Sequence, residues 1–173
     1  MTSTLKVDNI AHSGGTTGLT INSDGRVLQP NLPSWRVSIS SDANVSSDTA
    51  WQVVAWNETD DSAENLYLQG GITVSSNKIV IPVAGVYMFG VNLRIDGISN
   101  GNYLTAVMEK NDSSTDNAEA EFVEQNVGAT YATVSMSSVM KFAASDTIRV
   151  RVASPDGTYT IQDNCTFYGA FLG

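Results

Sequence analysis

The sequence predicts an all-β protein, a jelly-roll sandwich of about ten strands preceded by a short β-rich arm. Three observations carry this. Ser, Thr, Gly, Asn and Val are abundant, and few windows space apolar residues as a helix requires. Tyr87, Phe89, Val91, Leu93 and Ile95 alternate with Met88, Gly90, Asn92, Arg94 and Asp96; this period of two puts one set on a buried face and the other toward solvent or a neighbouring subunit. Turn-forming residues recur every ~8 to 15 positions, which leaves room only for short strands.

The arm comes first. LKVDNI and LTINSDGRVLQ are two apolar-alternating pieces, the second folded about Asp24-Gly25, a good tight-turn dipeptide. Leu5, Val7, Ile10, Leu19, Ile21, Val27 and Leu28 are their apolar residues. So small a segment cannot bury a core of its own. It must dock on something, pair with copies of itself or stay mobile. Pro30 and Pro33 then read as a stiff joint, dividing the chain into an arm, 1–32, and a head, 33–173.

Within the head, strands are expected at Trp35–Ile39, Trp51–Trp56, Asn77–Ile81, Gly85–Asp96, Leu104–Lys110, Ala120–Gln125 and Tyr131–Phe142. In IRVRV, Ile148, Val150 and Val152 face in while Arg149 and Arg151 face out. The last strand sets Phe167, Gly169 and Phe171 against Tyr168, Ala170 and Leu172.

Composition excludes several classes of function. The chain has 173 residues, a net charge of −9 and scattered Lys and Arg; it lacks the basic stripe that nucleic acid or an anionic membrane surface requires. No apolar run approaches the ~20 residues of a membrane span. The N-terminus MTSTLKVDNI lacks the blocks of a secretion signal. Cys165 is the only cysteine, so no intrachain disulfide forms and a buried free thiol is expected.

The ordered landmarks resemble a known family. NKIVIPVAGVYMFGVNL is similar to the signature of the globular head of complement component one q, within the tumour-necrosis-factor-like jelly rolls. AWQVVAWN, AVMEKND, VMKFAASDTIRVRV and CTFYGAFL follow in family order over about residues 33–173. The resemblance implies a homotrimer in which Trp35, Tyr87, Phe89, Val91, Phe167 and Phe171 pack the core or the subunit contacts. Ser145 departs from the pattern, standing where the family usually has Gly, so a looser turn is expected there. The collagen stalk of animal relatives is missing. STLKVDNI and LTINSDGRVLQP instead resemble the N-termini of structural proteins of tailed bacteriophages, which implies a virion appendage whose arm attaches to the particle.

ENLYLQGG, Glu64–Gly71, matches the recognition pattern of a plant-virus protease often engineered into expressed proteins. It lies between WQVVAWN and NKIVIPVAG, where the resemblance implies a short strand and a Gly-rich turn. The match is read as coincidence.

Catalysis is not expected. His12 is the only histidine and lies in the arm, so a nucleophile-histidine site in the head is excluded by count. ETDD (58–61) and NDSSTDNAEAE (111–121) hold oxygen ligands of the kind calcium takes. Neither has calcium-loop spacing, and solvated loops are the commoner outcome, so no cofactor is expected and calcium stays an alternative. Trp35, Trp51 and Trp56 fall in alternating patterns and read as core or interface residues rather than sugar platforms. Four Asn-x-Ser/Thr triplets match chance and read as unglycosylated. Loops carry specificity in binding modules. By the family's strand order, GISNGNY (97–103), VGAT (127–130) and SPDGTYTIQDN (154–164) gather at the end away from the arm. Asn100, Asn102, Tyr103, Asp156, Thr158 and Tyr159 are the candidate ligand residues, for a host-surface glycan or protein. A cellular adhesin or signalling module of the same family is the alternative.

Overall fold

Alternating β-branched and aromatic residues give a chain built of strands, and among the described residues there is no helix. The computed structural model describes residues 7–11, 13–15, 17–29, 31–46, 51–112, 120–125 and 130–173. Leu5, His12 and most of the 127–130 loop lie outside them. The arm holds β1 (Asn9–Ala11), β2 (Thr17–Ile21) and β3 (Val27–Leu28). The head begins with β4 (Ser34–Ser38), β5 (Ala43–Val45), β6 (Gln52–Val53), β7 (Tyr67–Gln69), β8 (Thr73–Ser75) and β9 (Lys78–Val80). It continues with β10 (Gly85–Asp96), β11 (Tyr103–Lys110), β12 (Ala120–Gln125), β13 (Tyr131–Phe142), β14 (Thr147–Ala153), β15 (Tyr159–Ile161) and β16 (Thr166–Phe171).

The head is two antiparallel sheets. The front sheet runs β5-β15-β10-β16-β4-β7, with β13 on the free side of β10, and the back sheet runs β12-β11-β14-β9-β8, with β6 also on β14. The arm strands form a third sheet, β1-β2-β3, separate from both. Alternation along β10 buries Tyr87, Phe89, Val91, Leu93 and Ile95, as the sequence predicts. They meet Leu104, Ala106, Met108, Ile148, Val150 and Val152 of the back sheet in one core. Trp35, Val37 and Phe167 complete it, with the Trp35 ring 5.8 Å from Phe167 and 6.4 Å from Tyr87. Each such aromatic contributes roughly 1.5–3 kcal/mol through burial.

Trp35, Tyr87, Phe89, Val91 and Phe167 therefore pack inside one chain, and Phe171 is half-buried against them. Any contact between copies of the chain would have to use other residues.

Three further features differ from the sequence reading. SPDGTYTIQDN carries a strand, β15, which pairs with β5 and with the end of β10. The expected strand over Trp51–Trp56 shrinks to β6, although Val54 N still donates to Val150 O at 3.0 Å and Trp56 is buried. The turn at Ser145 is tight: Asp146 N donates to Ala143 O, Ala143 N donates to Asp146 Oδ2 at 2.7 Å, and Ser145 takes a φ of 70°. The Asp146 carboxylate closes the turn, so Ser145 is held in the left-handed region despite its Cβ.

Glu64–Gly71 forms β7 and a turn. Tyr67, Leu68 and Gln69 pair with Arg36, Trp35 and Ser34 of β4. Gly70 has a φ of 65°, and a Cβ there would stand 2.5 Å from the backbone of Leu32 and Pro33. Gln69 Nε2 donates to Leu32 O at 3.2 Å. This turn packs where the arm joins the head.

Candidate functional site

The expected loop end is built by β10, β11, β14 and β15. At the start of β10, Val86 N donates to Gly173 O, and Phe171 N donates to Pro33 O, so that end lies beside the arm junction. Asp96 and the loop after it are at the opposite end. There Asp156 accepts from Ser99 N at 2.5 Å and from Asn102 Nδ2 at 2.6 Å. Burial raises the Asp156 carboxyl, but the hydrogen bonds from Ser99 and Asn102 outweigh it and hold the group below its ordinary range. Asn102 and Asp156 thus join two loops. Asn100 and Thr158 are exposed. Tyr159 corrects the sequence reading: it is 3% exposed, its hydroxyl faces Val152 O, and burial pushes its pKa up to about 12. It is a core residue that shows only a sliver of surface, at a shallow depression beside Thr158.

Tyr103 behaves differently. It is exposed, and its carbonyl accepts a 2.8 Å hydrogen bond from Ser154 Oγ. With Trp51, Thr105, Ala153, Ser154 and Pro155 it lines a cleft of about 200 Å3. Trp51, read from sequence as core or interface, is half-buried at this cleft, with the Arg151 guanidinium 5.4 Å from its ring centroid. Arg149 and Arg151 face outward as predicted and both pair with Glu109, which has no exposed surface.

The outward face of the front sheet is apolar over β16, β10 and β13, where Ala170, Met88 and Val139 adjoin, and more polar toward β4 and β7. Across the strands, Gln69, Ser34, Ala170, Met88 and Val139 stand opposite one another in register. The next row holds Tyr67, Arg36, Tyr168, Gly90 and Ser137. A Cβ at Gly90 would lie 2.6 Å from the Tyr168 hydroxyl, so glycine lets that ring cross the sheet. Tyr67, Met88, Val139 and Leu172 are 42–57% exposed. Arg36, Glu58, Glu64 and Asp163 line a polar depression at its margin.

The arm presents a second apolar face. Ile10 stands opposite Leu19, and Ile21 opposite Val27; directly opposed residues share a face, so these four lie on one side. Leu28 pairs with Thr20 and faces the other way, which removes it from the group the sequence put together. Val7 is half-buried ahead of β1.

Cys165 is buried, as expected, with its Sγ accepting from Arg94 N at 3.2 Å. Burial raises its pKa to about 11. Among the described residues no group of three or more His, Cys, Asp or Glu is placed to hold a metal ion, and most of the 111–121 acidic stretch lies outside them.

No family model and no curated protein matches the sequence. Solved structures do match. Murine APRIL, crystallised at pH 5.0, superposes with a TM-score of 0.61 over 82% of this chain and 99% of its own, at 9% identity. At that identity the likeness is one of fold. The head shares the jelly-roll fold of that structure.

Proposed function

We propose that the protein is a homotrimeric virion appendage of a tailed bacteriophage, fixed to the particle by its arm, with the head projecting to recognise a host-surface glycan or protein or to stabilise the particle. The observation that carries this reading is the arm sheet. The head has a complete core of its own, yet the arm exposes Ile10 and Val27 on the face they share with Leu19 and Ile21. A sheet of this size with one wet apolar face is suited to being covered by a larger partner. The resemblance of its sequence to phage structural proteins supplies the particle as that partner.

Three-fold assembly is supported by the same family resemblance and by the exposed band of Tyr67, Met88, Val139 and Leu172. Three heads held together would turn three weak arms into one multivalent attachment. Native mass measurement of the full chain at micromolar concentration is expected to give a trimer, and a Met88→Glu, Val139→Glu variant a monomer. A monomeric wild-type chain would sink the trimer. Deleting residues 1–32 is expected to abolish incorporation into particles, and electron microscopy of whole particles would show the density lost. Unchanged incorporation would remove the arm as anchor.

A further inference from the structure

We propose that the cleft between Trp51 and Tyr103 is a subsite for one neutral pyranose ring of a surface glycan. This rests on the reading of the head as a recognition module, and goes beyond it by naming the site and the ligand class. Four observations converge on it.

The first is position. Tyr103 opens β11, Ser154 follows β14 and Trp51 precedes β6, which puts the cleft at the end of the head opposite Pro33. It belongs to the outward side of the back sheet, because Trp51 lies against Arg151, which pairs with Glu109 there. Trimer formation through the front sheet leaves it open in every copy.

The second is chemistry. A pyranose has apolar C–H faces and an equator of hydroxyls, so it fits between aromatic rings with polar groups at their edges. Tyr103 and Trp51 supply the rings. Thr105 supplies a hydroxyl-bearing side chain to the lining. None of the six lining residues is charged, and the chain carries −9, so an anionic sugar is disfavoured.

The third is size. At about 200 Å3, the cleft falls below the roughly 300 Å3 at which drug-sized ligands begin to be enclosed. It suits a single ring with the rest of the glycan outside.

The fourth is preorganisation, which lowers the entropic cost of binding. The Arg151 guanidinium lies over the Trp51 ring, 5.4 Å from its centroid, and is itself tied to the buried Glu109. Ser154 Oγ holds the Tyr103 carbonyl, and Asp156 clamps Ser99 and Asn102 in the adjoining loop. The Trp51 ring therefore has a fixed support, and the backbone that carries Tyr103 is held in place.

The test titrates the 15N-labelled full-length protein with methyl glycosides of glucose, galactose, N-acetylglucosamine and rhamnose. Concentrations reach roughly 50 mM, beyond the millimolar affinity expected of so small a ligand. Trp35 and Trp56 are fully buried, so the Trp51 indole resonance reports on the cleft and the other two report on folding. At least one glycoside is expected to shift the Trp51 indole saturably. Trp51→Ala and Tyr103→Ala should each weaken binding about tenfold, whereas Tyr103→Phe should stay within about threefold because the ring remains.

If none of the four glycosides moves the Trp51 indole, or if binding survives both alanine substitutions, the subsite is overturned. Binding that persists and shifts the 97–102 loop instead would refute the subsite and leave the head as a glycan reader. A monomeric chain whose Trp51 still responds would refute the trimeric appendage and leave the subsite standing.

Discussion

Adding one methyl group at Gly169 should cost the head about 3 kcal/mol. Gly169 lies in β16 directly opposite Trp35 of β4. A Cβ at 169 would fall 2.3 Å from Trp35 Cη2 and 2.4 Å from Cζ2, whereas carbon atoms in contact prefer ~3.5–4.0 Å. The indole must move by more than about 1 Å. It has no exposed surface and is wedged against Phe167 and Tyr87, so the ring cannot shift without displacing its neighbours. Overpacking of a dense core costs about 1–3 kcal/mol, and a rigid bicyclic obstacle puts this site at the upper end. For a domain of this size that corresponds to a fall in Tm of about 10 °C. The assay is thermal unfolding of Gly169→Ala at fixed protein concentration, since self-association would tie the midpoint to concentration. Trp35→Phe removes the atoms that clash, so in the double variant the two losses should combine to less than their sum by about 1 kcal/mol. A Gly169→Ala protein within about 0.5 kcal/mol of wild type, or strict additivity with Trp35→Phe, would refute the reasoning.

Four other outcomes can be checked. Ser145→Gly should stabilise the head by about 0.5–1 kcal/mol, because relief of the left-handed strain outweighs the added unfolded-state entropy; a loss of stability in urea would show that the Ser145 side chain contributes. Glu109→Ala should cost about 3–5 kcal/mol by leaving Arg149 and Arg151 against an empty site, read from the same urea titration. Cys165 should resist alkylation at pH 8 in the native protein and react on unfolding. Burial lifts its folded pKa to about 11, above the ordinary thiol range, so the native state holds the proton longer, and this contribution to stability is complete below pH ~9 and lost as pH rises toward 11. Cleavage after Gln69 by the plant-virus protease should be slow in the native protein and accelerate with denaturant, because Tyr67–Gln69 must first leave β4; rapid native cleavage would mean that β7 is not paired.

The sequence was most legible where alternation is long. Tyr131–Phe142 and Gly85–Asp96 match their strands at both ends, because twelve residues of period two leave no other face to bury. A three-residue strand buries one or two side chains and produces no pattern, so β5, β8 and β15 were hidden, the last behind the turn residues of SPDG. Tyr159 was misread for that reason. At the cleft, Tyr103 stands out because it borders a polar loop. Trp51 does not, because its alternation with Val53 resembles that of a core strand, and only the register of β6 on β14 brings it over Arg151. Likewise, sequence marks the arm's apolar residues but cannot assign Leu28 to the opposite face without the pairing to Thr20.

The junction at Pro33 has a mechanical consequence. The arm enters the head directly into β4, which is hydrogen-bonded on one side to β16 and on the other to β7. Tension pulled along the arm would load β4 lengthwise, with those hydrogen bonds sharing the strain in shear instead of opening one after another like a zipper. Gly70 and Gln69 brace the point of entry against Leu32. Force pulled through the arm would therefore pass into β4 and be shared by the strands on both sides of it.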